Sequence, residues 1–242
     1  MGTGDRRAGL DRFDEPGDQP ASGLDAKKKS LSASERDASA RRAWRQQAAA
    51  VEPVRWVWVD EFGSNTGLTR HFARSPRGER ARASAPRNHG VNRTTITSLT
   101  LEGFGPGLVL EGAMTTRAFE VYVAHVLAPT LQPGQIVAMD NLRQHHSDDV
   151  REAIEAREAS LRFLPSYSPD LNPIEEAFSK VKTLLRSAEA RTHESLVATI
   201  WAALAAVTPA NAHGYFQHCG YRPPPRRRIR ARHAGPGLHD AA

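Results

Sequence analysis

A chain of 242 residues can hold one domain of roughly 150 to 200 residues and leave length for tails, but a hydrophobic fraction of 39% is low for a globule packed throughout. No run of about 18 apolar residues is present to cross a membrane, "MGTGDRRAGLDRF" lacks the apolar stretch of a signal peptide, and a single cysteine, Cys219, excludes an internal disulfide framework and fits a reducing, cytoplasmic setting. The formal charge of +6 and pI near 9.9 favour a nucleic-acid partner, although six arginines between Arg222 and Arg232 account for the whole excess and the rest of the chain is about neutral.

Residues 1–50 are rich in Gly, Ser, Ala, Asp and Arg and read as a poorly ordered arm. One helix is predicted within it, over 32–50, with Ser32 and Glu35 at capping-box spacing. "VRWVWVDEF" (54–62) is a β-branched and aromatic run expected of a strand covered on both faces, with Trp56 and Trp58 sharing one face of the core. "GLTRHFA" (67–73) and "RTTITSLTLEG" (93–103) are predicted as the next strands, joined by the arginine-rich 74–90, and "GLVLEGA" (107–113) as a short strand or a turn. Phe119, Tyr122, Val123, Val126 and Leu127 stand at helical spacing within 116–131. A strand over 135–141, a helix over 147–158 capped by Ser147, and a strand over 161–165 follow. Helices over 173–187, 193–207 and 209–218 complete the pattern, and no internal repeat is present. Strands first, then alternating helices and strands, indicate an α/β fold with a mixed sheet, occupying 51–221. The tail, 222–242, has three consecutive prolines before its arginines and should be extended.

Two of the predicted strands end in aspartate: "VWVD" at Asp60 and "VAMD" at Asp140. The carboxyl ends of buried strands are where open α/β sheets place ligands. If these strands are parallel neighbours, their carboxylates lie about 5 Å apart and repel unless a cation or a proton intervenes. Oxygen-rich sites of that kind suit Mg²⁺ or Mn²⁺; the plainer reading is that each Asp merely begins a loop. A third acid starts the helix in "SYSPDLNPIEEAFSKVK" (166–182). There Asn172 can serve as N-cap, Pro173 fits the first helical position and Glu175 the capping-box position. Glu175 also borders the stripe Ile174, Phe178, Val181 and Leu185, so it can face the aspartates. Glu176 points outward, four residues before Lys180. Glu61 is expected on the opposite side of its strand from Asp60, and Asp170 reads as a turn residue.

"VDE", "MDN" and above all "LPSYSPDLNPIEEAFSKVK" resemble the DDE-type transposases of the mariner superfamily, in particular the bacterial insertion-sequence 630 branch. The 34 residues between Asp140 and Glu175 are similar to the spacing in that superfamily, and the resemblance covers roughly residues 25–222. It implies a ribonuclease H-like five-stranded mixed sheet flanked by helices, with disordered basic termini. It also implies a two-metal phosphoryl-transfer site in which Asp60, Asp140 and Glu175 bind two Mg²⁺ or Mn²⁺ ions. The implied partners are DNA, as transposon ends and target, and a second copy of the chain on that DNA, in a bacterial, nucleoid-associated setting. After "MDN" the family has one histidine; here His145 and His146 both qualify, with His145 preferred, near the metals or the scissile phosphate.

Members of this branch also carry an N-terminal helix-turn-helix reader, whereas only about fifty weakly patterned residues precede "VRWVWVDE". The expectation is a catalytic half, with end recognition on a separate polypeptide, or a truncated copy. A catalytically inactive DNA-binding remnant and a related nuclease without strand transfer are the alternatives. Arg74, Arg77, Arg80, Arg82 and Arg87 can contact DNA phosphates or simply solvate a loop, and Arg226, Arg227 and Arg228 can form a non-specific DNA-binding arm. His213, His218 and Cys219 offer three potential ligands, too few for a structural zinc site.

Overall fold

The structure, a computed structural model, describes residues 33–142 and 145–222. Helix α1 (Ala38–Ala48) is capped by Asp37, whose carboxylate accepts from the backbone N–H of Ser39 and Ala40. It falls inside the predicted 32–50 window but starts later. Strand β1 (Trp56–Ser64) pairs antiparallel with β2 (Arg93–Thr100), whose far edge carries β3 (Gly103–Phe104) and β4 (Leu108–Glu111), both antiparallel to it. On its other edge β1 pairs in parallel with β5 (Ile136–Met139), which pairs in parallel with β6 (Ser160–Phe163). The sheet therefore has six strands rather than the expected five. The extra one arises because β3 and β4 divide one row, opposite Leu99–Thr100 and Arg93–Ile96 of β2 respectively.

The strand predicted over 67–73 does not form. It pairs with none of the six strands. The carbonyls of Thr66 and Leu68 instead accept from the Arg191 guanidinium at 3.0 and 2.8 Å, and Phe72 is 91% exposed. The helix predicted over 116–131 also changes character. Helix α2 (Thr116–Tyr122) widens into a π turn at Val123–Leu127 and closes as a 3₁₀ turn at Ala128–Thr130. Pro129 explains this: it has no N–H for the α ladder, and its ring crowds the carbonyl four residues back.

Helices α3 (Asp148–Glu155), α4 (Pro173–Ala188), α5 (His193–Ala205) and α6 (Pro209–His218) complete the fold. Strand alternation on β1 sorts the core into two clusters. Trp56, Trp58 and Phe62 pack with Trp44, Phe178, Ile200 and Phe216 from α1, α4, α5 and α6. Val57 and Val59 pack on the other face with Phe119, Tyr122, Val150 and Ile154 from α2 and α3. Trp56 and Trp58 stack at 5.4 Å and are fully buried, each contributing on the order of 2–3 kcal/mol by desolvation. Trp44 Nε1 donates to the Tyr221 hydroxyl at 2.9 Å, and that hydroxyl donates to the Leu171 carbonyl at 2.7 Å.

Candidate active site

The parallel β1–β5 register pairs Trp58 with Ala138, so Asp60 and Asp140, each two residues further on, stand level at neighbouring strand ends. Both have the parity that faces α4. That helix starts at Pro173, and its first turn brings Glu175 to the same place. Asp60, Asp140 and Glu175 line one cavity of about 360 Å³, together with Asn172, Leu142 and Tyr167. The three predicted acids thus come from distant points of the chain to a single opening.

Asp60 is buried and has two neutral hydrogen-bond partners. Its Oδ1 accepts from the Glu61 N–H, and its Oδ2 from the Asn172 side-chain amide, both at 2.8 Å. Burial holds its carboxyl well above the usual carboxylate range; the charges of Glu175, Glu61 and Asp140 push the same way, against the Glu61 N–H bond. Among the described residues, no three His, Cys, Asp or Glu side chains stand close enough to hold one metal ion as placed.

Asp140 Oδ1 lies 2.6 Å from His145 Nδ1 and accepts the Leu142 N–H at 3.2 Å. His145 is fully buried, with its ring 4.4 Å from that of Phe119. Its Nε2 lies 3.5 Å from Glu61 Oε2, close enough for charge attraction but long for a hydrogen bond. Burial opposes charge on this imidazole, yet Asp140 and Glu61 on either side outweigh it and raise its pKa to about 10. His145 therefore sits between two acids, behind the site and not among the residues lining the cavity. From there it can position Asp140, the contact the structure places beside the predicted acids. His146 stacks on Phe163 at 4.1 Å and approaches Asn141 Oδ1 at 2.6 Å.

The predicted capping box at α4 does not form: Asn172 makes no side-chain cap bond and gives its amide to Asp60. Glu176 does not pair with Lys180 either. It meets His218 Nδ1 and Cys219 Sγ on α6, while Lys180 donates to Ala206 O and Asn211 Oδ1. Asp170, read as a turn residue, sits in a 3₁₀ turn (Pro169–Leu171) and accepts from Arg36 at 2.5 Å and Arg41 at 2.6 and 3.1 Å, with Arg45 at 3.5 Å. Arg41 and Arg45, four apart on α1, were the available signal for such a clamp. Glu61 was placed correctly on the opposite side of β1, but its alignment with His145 needs tertiary structure to see. Arg74, Arg77, Arg80, Arg82 and Arg87 are all exposed in the loop between β1 and β2. Arg226, Arg227 and Arg228 lie outside the described residues.

A six-stranded mixed sheet sandwiched by helices, with two level aspartates on a parallel pair and a third acid from a helix, defines a ribonuclease H-like catalytic domain. The family described as DDE superfamily endonuclease matches residues 55–197, more than half of the sequence, and the chain belongs to that family.

Solved structures with this fold include the Mos1 strand transfer complex, at a TM-score of 0.63 and 17% identity over 82% of this chain and 64% of that one. A Mos1 mariner paired-end complex with Mn gives 0.59 and 17% over 82% and 65%. The catalytic domain of Mos1 mariner transposase gives 0.54 and 13% over 78% and 94%. Identities this low speak to the fold. The chain spans under two thirds of the protein in the first two structures and nearly all of the isolated catalytic domain. No curated protein matches by sequence.

Proposed function

We propose that the protein is a transposase catalytic domain that cleaves transposon-end phosphodiesters and joins the freed 3′ end to target DNA, in the insertion-sequence 630 branch of the mariner superfamily. The observation that carries this reading is the convergence of Asp60, Asp140 and Glu175 on one cavity. The donor set fits a hard divalent cation: it is all oxygen, and the buried Asp60 carboxylate faces two other acids with no basic side chain bonded to it. Asp60, Asp140 and Glu175 would hold the two Mg²⁺ or Mn²⁺ ions. Once bound, such a pair supplies Lewis acidity at the phosphoryl oxygens and lowers the pKa of an attacking water or 3′-hydroxyl.

The chain's own residues do the rest. Asp60 stays oriented by its two N–H partners, and His145 holds Asp140 from behind. Leu142 and Tyr167, both exposed, line the same cavity and would flank a bound phosphodiester. Arg74, Arg77, Arg80, Arg82 and Arg87 would neutralise DNA phosphates, as would the arm containing Arg226, Arg227 and Arg228. A second copy of the chain on the DNA and a separate helix-turn-helix polypeptide for end recognition belong to the same reading. So does a catalytic unit that begins at α1 rather than at residue 51.

The test is Mg²⁺-dependent nicking of DNA bearing the terminal inverted repeats, followed by joining, with Asp140→Ala as control. Nicking and joining in the wild type, both lost in the variant, are expected. Binding without nicking would identify an inactive remnant; nicking without joining would identify a nuclease.

A further inference from the structure

Asn172 occupies an N-cap position by sequence, before Pro173 and three residues ahead of Glu175, yet its side chain bonds none of the helix's free N–H groups. The side chain is buried, 3% exposed, and its Nδ2 donates to Asp60 Oδ2 at 2.8 Å. Its Oδ1 is buried with no partner at all. The fold thus forgoes a cap and leaves an acceptor unpaired in order to place one neutral donor on one carboxylate. Flanking anchors keep that donor in place. Asp170 is clamped by Arg36 and Arg41, and the Leu171 carbonyl is held by the Tyr221 hydroxyl. Both lie within two residues of Asn172.

We propose that Asn172 is the positioning residue for Asp60, fixing the buried carboxylate in its cavity-facing orientation before any cation arrives. The choice of an amide matters physically. A Lys or Arg at this point would neutralise Asp60 and repel an incoming divalent ion; water alone would leave the carboxylate free to rotate. An amide orients the carboxylate while leaving its charge uncompensated. The orienting contact stands on geometry alone, and its consequence for cation affinity rests on the function proposed above.

Two measurements on the full chain test this. In metal-free buffer, the Asn172 side-chain amide resonances, assigned by their absence in Asn172→Ala, should move in Asp60→Ala; unmoved resonances would overturn the contact. In a Mn²⁺ titration followed by electron paramagnetic resonance, Asn172→Ala should bind about tenfold more weakly than wild type, the usual scale for losing a residue that orients a metal ligand. Thr208→Ala, which loses a genuine N-cap on α6, controls for a purely structural defect and should keep wild-type affinity. Equal affinity in Asn172→Ala and wild type would overturn the proposal. A wild type that binds no Mn²⁺ would instead sink the proposed function, and the metal-free measurement would still decide the role of Asn172.

Discussion

Asp60 and Asp170 both touch the segment that leads into α4, and the fold treats them in opposite ways. Asp170 receives Arg41 and Arg45 from α1 and Arg36 from just before it, and although partial burial pulls the other way, Arg41 and Arg36 hold its carboxyl below the usual range. Asp60, more deeply buried, receives only an amide and a backbone N–H, faces other acids, and is pushed upward. Where the chain needs cohesion it compensates an acid fully. At Asp60 it orients the acid with neutral donors and brings no basic side chain to it. The difference between these two aspartates locates function better than burial alone, because isolated buried charge is destabilising unless something else binds it.

The sharpest way to break this contrast is to neutralise each acid in turn. Asp60→Asn should reduce Mg²⁺-dependent nicking by about a thousandfold, or roughly 4 kcal/mol of transition-state stabilisation. The same change should raise the thermal midpoint of the metal-free chain by a few degrees, since a neutral isostere removes repulsion. A fall in the midpoint would mean that Asp60 is compensated after all. Asp170→Ala should act oppositely, lowering unfolding stability by about 2 kcal/mol in urea titrations because it strands the buried Arg41.

The pH dependence sharpens the same point. The lowered pKa of Asp170 means that its contribution is fully present above the ordinary value of 3.8 and is lost as pH falls through the folded value. Asp170→Asn should therefore flatten the acid limb of the stability curve below about pH 4 relative to wild type. The smallest effect expected is from Trp44→Phe, which removes the donor to the Tyr221 hydroxyl and should cost about 1 kcal/mol without changing the Mn²⁺ affinity.

Much of the sheet was legible because its strands are short apolar runs, two of them leading into aspartates, whereas the pairing of β1 with β5 stood only as a condition until the register showed it. The stretch 67–73 misled because local composition says nothing about which partner its backbone meets, and here the Leu68 carbonyl is taken by Arg191 from far along the chain. Pro129 was visible in the sequence, but its effect on the helix before it was not weighed. At the site, the three acids could be named from the spacing of motifs, whereas their partners could not. Asn172 carries a cap residue's local signal, and only a carboxylate arriving from 112 residues away redirects it. His145 lies beside Asp140, but its side of the sheet is set by Phe119 and Glu61, neither of which is near it in sequence.

The hydroxyl of Tyr221 joins the indole of Trp44 to the backbone of Leu171, so both ends of the described chain meet beside the cavity. Residues 55–197, the span matched by the family, exclude both of these struts. A protein trimmed to that span would keep every acid and lose the scaffolding that holds the loop carrying Asn172. The contacts that brace this loop therefore reach beyond the family's own borders, from α1 to Tyr221.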